Sequence, residues 1–178
     1  MSIYDNINKK GQNSLTSAFS FDRLPESLEE MKAMPEAALD TPFKAAALTI
    51  CALCAYACDR EIGKQMLNFL RGPRPLSPMD ISFLNDRFMD GKTYVPFSYF
   101  KGAIPENDYT PDRPFEVSFS KDAYSDANEG YCRLNVRTGG AGSPRQITLR
   151  RLGDGTWRLW EQAVLVGMRD PKSQNPWG

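Results

Sequence analysis

Histidine is absent from this chain. Without an imidazole neither a Ser-His-Asp nor a Cys-His arrangement can form, and the commonest neutral metal ligand is missing. Net charge of either sign is lacking too: 22 Lys and Arg balance 22 Asp and Glu. A dedicated nucleic-acid binder usually carries a positive excess, so this balance argues against nucleic acid as a partner. No apolar run approaches the roughly 20 residues of a membrane span. The opening stretch MSIYDNINKKGQN lacks the basic-then-apolar order of a secretory signal. The expectation is a cytoplasmic protein without membrane contact.

At 178 residues, 41% hydrophobic and 25% charged, the chain can bury a real core as one domain or two closely packed lobes. Residues 1–22 are polar and weakly periodic and read as an irregular arm, with Phe19 and Phe21 docking on the body. Residues 23–178 read as a single domain: a helical part over 23–91, a strand-rich part over 92–170 and an extended tail over 171–178.

Four helices are expected in the first part. A short one covers Pro25 to Ala33, with acids near its start. The second, from Phe43 to Cys58, is capped by Thr41 and Pro42 and is apolar all round, which marks a buried central helix. Asp59 caps a third, Arg60 to Leu70, which Gly72 and Pro73 end. Ser77, Pro78 and Asp80 open a fourth that reaches about Met89.

After Gly91 the pattern changes. Tyr94 to Phe100 is aromatic and broken by Pro96, which predicts an extended segment or edge strand. Ala103 to Arg113 reads as a surface loop. Apolar residues alternate at Phe115, Val117 and Phe119, and again at Cys132, Leu134 and Val136, as in half-buried strands. Ile147 and Leu149 begin a third strand, and Trp157 to Gly167 forms the fourth and longest. The fold class expected is α+β: about four helices packed on a mainly antiparallel sheet of four to five strands.

Cys51, Cys54 and Cys58 have spacings compatible with thiolate metal ligation, but the helix carrying them is too apolar for charged thiolates. They read as buried packing residues, so no metal and no cofactor is expected. The loop Gly139 to Arg145 is glycine-rich, yet a strand follows it, not a phosphate-cradling helix. It reads as a connection, with an anion held by loop amides and Arg145 as the functional alternative.

The hairpin Leu152-Gly153-Asp154-Gly155-Thr156 fixes a register in which Leu149 faces Leu159 and Arg150 faces Arg158. Ile147, Leu149, Trp157 and Leu159 then share the core face, and Thr148, Arg150, Arg158 and Trp160 the other. Arg133 and Arg137 join that second face from the neighbouring strand. Between Arg133 and Arg158 lie six arginines and one acid, Asp154. Such a face suits an anionic partner; its plain alternative is a solvated surface whose arginine stems cover apolar groups. Glu161 falls on the core face in this register and is the candidate acid or base of a histidine-free enzyme. The plain alternatives are a salt bridge, or a bulge that turns it outward.

The segments LPESLEEMKAMPEA, LNFLRGPRPLSP, YFKGAIPENDYTP and GGAGSPRQITLRRLGDGTWRLWEQAVLVGMRDP together resemble a family of uncharacterised bacterial proteins, over about residues 24–177. The resemblance implies a bacterial protein forming one unit. It implies no reaction and no site residues. The expected function is a non-catalytic binding or adaptor module, with Arg133, Arg137, Arg145, Arg150, Arg158 and Trp160 meeting an unknown protein or small anionic ligand. The alternatives are an enzyme around Glu161 and an assembly protein whose Tyr94–Phe100 segment contacts another subunit.

Overall fold

The computed structural model describes residues 15–177. Strands β1 (Thr16–Phe21), β2 (Phe115–Ser120), β3 (Tyr131–Val136), β4 (Arg145–Arg151) and β5 (Trp157–Gln162) form one antiparallel sheet in the order β1-β2-β3-β4-β5. Helices α1 (Leu28–Lys32), α2 (Pro42–Cys58), α3 (Arg60–Arg71) and α4 (Pro78–Arg87) belong to the first half of the chain. The fold is α+β, with the helices segregated from β2–β5 in sequence.

The central helix is α2. Thr41 Oγ1 accepts the Lys44 amide at its start, and 13 of its 17 residues are buried. It packs on β2, β3, β4 and β5, where Val117, Phe119, Leu134, Ile147 and Leu149 close the core from the sheet side. Each such side chain, fully buried, contributes about 1.5–3 kcal/mol. Asp59 Oδ1 accepts the amides of Glu61 and Ile62 and starts α3. The Ser77–Asp80 capping box starts α4.

Several expectations change. Thr16–Phe21 is a regular edge strand, because its backbone pairs with β2 from Thr16↔Ser120 to Phe21↔Phe115. Phe21 is buried and Phe19 meets Phe119 edge-on, so both dock as expected. Residues 1–14 of the expected arm lie outside the described residues. The first helix begins after Ser27, whose side chain accepts the Glu30 amide, and not at Pro25. Lys92–Tyr99 is a 3-10 helix and not extended. Ser98 Oγ donates to the Val95 carbonyl and the Tyr99 hydroxyl to the Val164 carbonyl, which fixes the tight winding against α2. Val95, Pro96, Ser98, Tyr99 and Phe100 are buried within the chain, so the segment offers little to a second subunit.

The last strand stops at Gln162 and is shorter than β4. The Gln162 side chain accepts the Val164 amide and Arg145 Nε and Nη2 draw in the carbonyls of Val166 and Gly167, so the chain turns away from β4. Among the described residues no helix is long and apolar enough to cross a membrane.

Candidate functional site around Trp160

The β4–β5 hairpin keeps the expected register through Leu149↔Leu159 and Arg150↔Arg158. Gly155, at φ +88°, supplies the left-handed turn, and Leu152 N–H donates to the Thr156 carbonyl. Beyond Leu159 the register shifts: Thr148 faces Glu161 and Ile147 faces Gln162, leaving Trp160 as the extra residue of a bulge. A bulge re-aims the side chains that follow it. Glu161 therefore shares the outer side with Thr148 and is exposed, which removes the inward carboxylate that the enzyme alternative required.

Trp160 is half-buried on the outer side. The Arg74 guanidinium lies 3.8 Å from its ring centroid and that of Arg150 4.7 Å; Tyr131 meets it edge-on at 5.6 Å. Arg74 Nη2 also donates to the Trp160 carbonyl. Two guanidinium groups thus occupy the indole, and the ring orients arginines rather than offering an open stacking face.

Around this ring lies a cavity of about 410 Å³ lined by Arg71, Arg74, Arg150, Arg151, Arg158 and Trp160, with no Asp or Glu in its lining. Arg158 turns over the edge of β5, donating from Nη1 to the Phe69 carbonyl at 2.8 Å. Arg71 donates from Nε to the Arg74 carbonyl and pairs with Asp80 at 3.2 Å. Burial holds its guanidinium below the ordinary value, while Asp80 opposes that. Arg150 has only ring contacts, and Arg151 has neither an ion pair nor a side-chain hydrogen bond among the described residues. Both are exposed and are the least committed cations of the cavity.

A second hollow, of about 240 Å³, lies on the helix side of Trp160 and includes Arg71, Arg74, Asp80 and Glu161. Asp80 is committed there: it accepts the Ser77 amide, the Ser77 hydroxyl and Arg71. The Ser77 amide, more than the arginines, holds the Asp80 carboxyl below its usual range, which suits a fixed anion and not a general acid.

The remaining sequence candidates separate. Arg133 reaches the same neighbourhood, in a hollow that also includes Trp160. Arg137 lies apart, beside Lys101 and Glu116. Arg145 is a structural clamp: Nε, Nη1 and Nη2 donate to Val166, Ser143 and Gly167. The Gly139 amide donates to Ser98 and the Gly140 amide to Thr138, which leaves little of the glycine loop for an anion. Arg71, Arg74 and Arg151 were not singled out from sequence. The first two flank the Gly72-Pro73 helix stop, and only the fold brings that turn to Trp160. Arg151 falls on the core side by alternation, but it ends its strand and so reaches the cavity.

Cys51, Cys54 and Cys132 are buried and Cys58 is exposed. Burial pushes the thiols of Cys51 and Cys54 well up, and that of Cys132 up to about 12. Among the described residues no group of three or more Cys, Asp or Glu is placed to hold a metal ion.

The sequence matches the family described as a domain of unknown function, DUF6935, over residues 23–172. The chain belongs to that family. The matched span runs from before α1 to past β5 and takes in every arginine of the cavity. No curated protein and no solved structure matches the chain.

Proposed function

We propose that this member of the DUF6935 family is a non-catalytic binding module of the bacterial cytoplasm that holds an anionic ligand in the arginine cavity beside the turn of the β4–β5 hairpin. One observation carries the reading: five arginines and a tryptophan line one cavity without a carboxylate, and two of those arginines have no acid or carbonyl partner for their side chains among the described residues. Guanidinium groups bind oxyanions through paired N–H donors, and a cavity concentrates their field. Four unpaired cysteines support a reducing compartment, and the sequence resemblance supports a bacterial source.

The test is calorimetric titration of the full chain with inorganic pyrophosphate at low and raised salt. Binding is expected at low salt and weakens as salt screens exposed charges. Arg150→Gln with Arg151→Gln abolishes it and costs no more than about 1–2 kcal/mol of stability, the loss of the Arg150 contacts with Trp160 and Tyr131, so the chain stays folded. Pyrophosphate binding that persists in the double variant, or none in the wild type, overturns the proposal.

A further inference from the structure

The arginine cavity does not stand alone. On the outer side of Trp160 a hollow of about 270 Å³ is bounded by Tyr124, Tyr131 and Trp160 and carries Asn128, Thr148 and Glu161. Arg133 and Ser125 complete it. Trp160 belongs to both linings, so one side chain separates the two spaces.

Their chemistries differ. The charged groups of the first are all cations. The second has aromatic walls and a mixed polar lining: an amide, a hydroxyl, a carboxylate and a guanidinium. Arg133 Nε is buried and has no acceptor among the described residues, and Arg133 lines this hollow. Tyr124 is 71% exposed, a large aromatic surface beside these polar groups.

The carboxylates bound the positive field. Glu161 lines the outer hollow and also the helix-side hollow, where Asp80 joins it. A polyanion running across Trp160 in either direction would meet a carboxylate, which disfavours a nucleic-acid backbone or an acidic peptide. The pattern matches a compact anionic head with a neutral body. A body suited to the outer hollow presents a C–H face to the exposed Tyr124 ring and groups that both donate to Glu161 and accept from Arg133 and Asn128. Polyhydroxylated rings do both.

Resting on the anion-binding reading above, we propose that the ligand is an anionic sugar, its phosphate or carboxylate among Arg74, Arg150, Arg151 and Arg158 and its hydroxylated ring in the hollow of Tyr124, Asn128 and Arg133. The two head groups share one recognition chemistry and separate experimentally.

The test is calorimetric titration of the full chain with glucose 6-phosphate, galactose 6-phosphate, glucuronate, inorganic phosphate and glucose. At least one anionic sugar is expected to bind about ten-fold more tightly than either phosphate or glucose, and which one does so tells a phosphate head from a carboxylate. Tyr124→Ala and Asn128→Ala are expected to weaken that sugar about three- to ten-fold, leaving phosphate within about two-fold and the melting temperature unchanged. If phosphate binds but no anionic sugar exceeds it, or if both variants leave sugar affinity untouched, the sugar assignment is wrong and the anion site stands. If no anion binds and Arg150→Gln with Arg151→Gln changes nothing, both fail together.

Discussion

Arg74 and Trp160 are 86 residues apart, yet the guanidinium of one lies 3.8 Å from the ring centroid of the other and donates to its carbonyl. The turn after α3 is thereby pinned to the bulge in β5. Removing the indole with Trp160→Ala takes the ring contacts from both Arg74 and Arg150, leaving Arg74 its bond to the residue-160 carbonyl and Arg150 its contact with Tyr131. Each cation–ring contact contributes about 0.5–1 kcal/mol at an exposed site, so a loss of about 1–2 kcal/mol is expected from denaturant unfolding. Pyrophosphate affinity should fall about ten-fold, because the guanidiniums lose their fixed orientation. Trp160→Phe keeps an aromatic face and should recover most of that affinity. Equal loss in both variants would show that the ring does not position the arginines.

Gly63 is a close-approach residue between α2 and α3. A Cβ built on it would lie 2.6 Å from the Tyr56 amide nitrogen and closer still to its Cα. Tyr56 is in turn fixed by stacking on Phe88 and by donating to Asn85, so it cannot yield. Gly63→Ala gains helix propensity but forces the helices apart, and overpacking of this kind costs about 1–3 kcal/mol. A lowered denaturation midpoint is the expected result. An unchanged or raised midpoint would show that α3 moves freely over α2.

What the sequence revealed and what it hid have separate physical causes. Caps and alternation are local, so Thr41, Asp59, the Ser77–Asp80 box and the core faces of β2, β3 and β4 were legible. The hairpin register was legible because three loop residues determine it. The bulge was open only as one alternative for Glu161: nothing in WRLWEQ fixes whether or where an extra residue falls, and the one-residue shift at Trp160 turns Glu161 outward. Two of the cavity's five arginines were hidden for another reason. Arg71 and Arg74 enter it through helix packing, and alternation along a strand says nothing about a distant turn.

Thiol chemistry offers a direct check on the core. Cys51, Cys54 and Cys132 are buried and burial raises their thiol pKa, so at neutral pH they carry almost no reactive thiolate. Cys58, the last residue of α2, is exposed. A disulfide-exchange reagent should therefore modify one thiol per native chain quickly and all four only after denaturation. Cys58→Ser should abolish the fast phase and keep the slow one. Fast modification of two or more thiols in the native protein would show that α2 is not enclosed.

Alkaline pH should unfold the protein through its tyrosines. Burial, and after it repulsion from the charge of the neighbouring Tyr94 phenolate, whose ring stacks on Tyr109 at 5.0 Å, pushes the Tyr109 phenol up to about 12 from the ordinary 10.0. Burial raises Tyr99 further still, against a smaller opposing effect of Arg145. Both hydroxyls donate 2.5 Å hydrogen bonds to carbonyls, Tyr109 to Arg169 and Tyr99 to Val164, and an ionised phenol has no proton to donate. The folded state thus keeps protons that the unfolded chain loses first. The stability these phenols contribute is fully present below about pH 10 and disappears as pH rises through their folded values. Melting temperature should accordingly fall steeply above about pH 10, and the buried Tyr99 and Tyr109 phenols should ionise in step with unfolding. Tyr109→Phe keeps the ring stack, loses about 1 kcal/mol at neutral pH with the hydrogen bond, and should show a shallower decline from pH 10 to about 12. Parallel declines in the two proteins would exclude Tyr109 as a source of the alkaline loss.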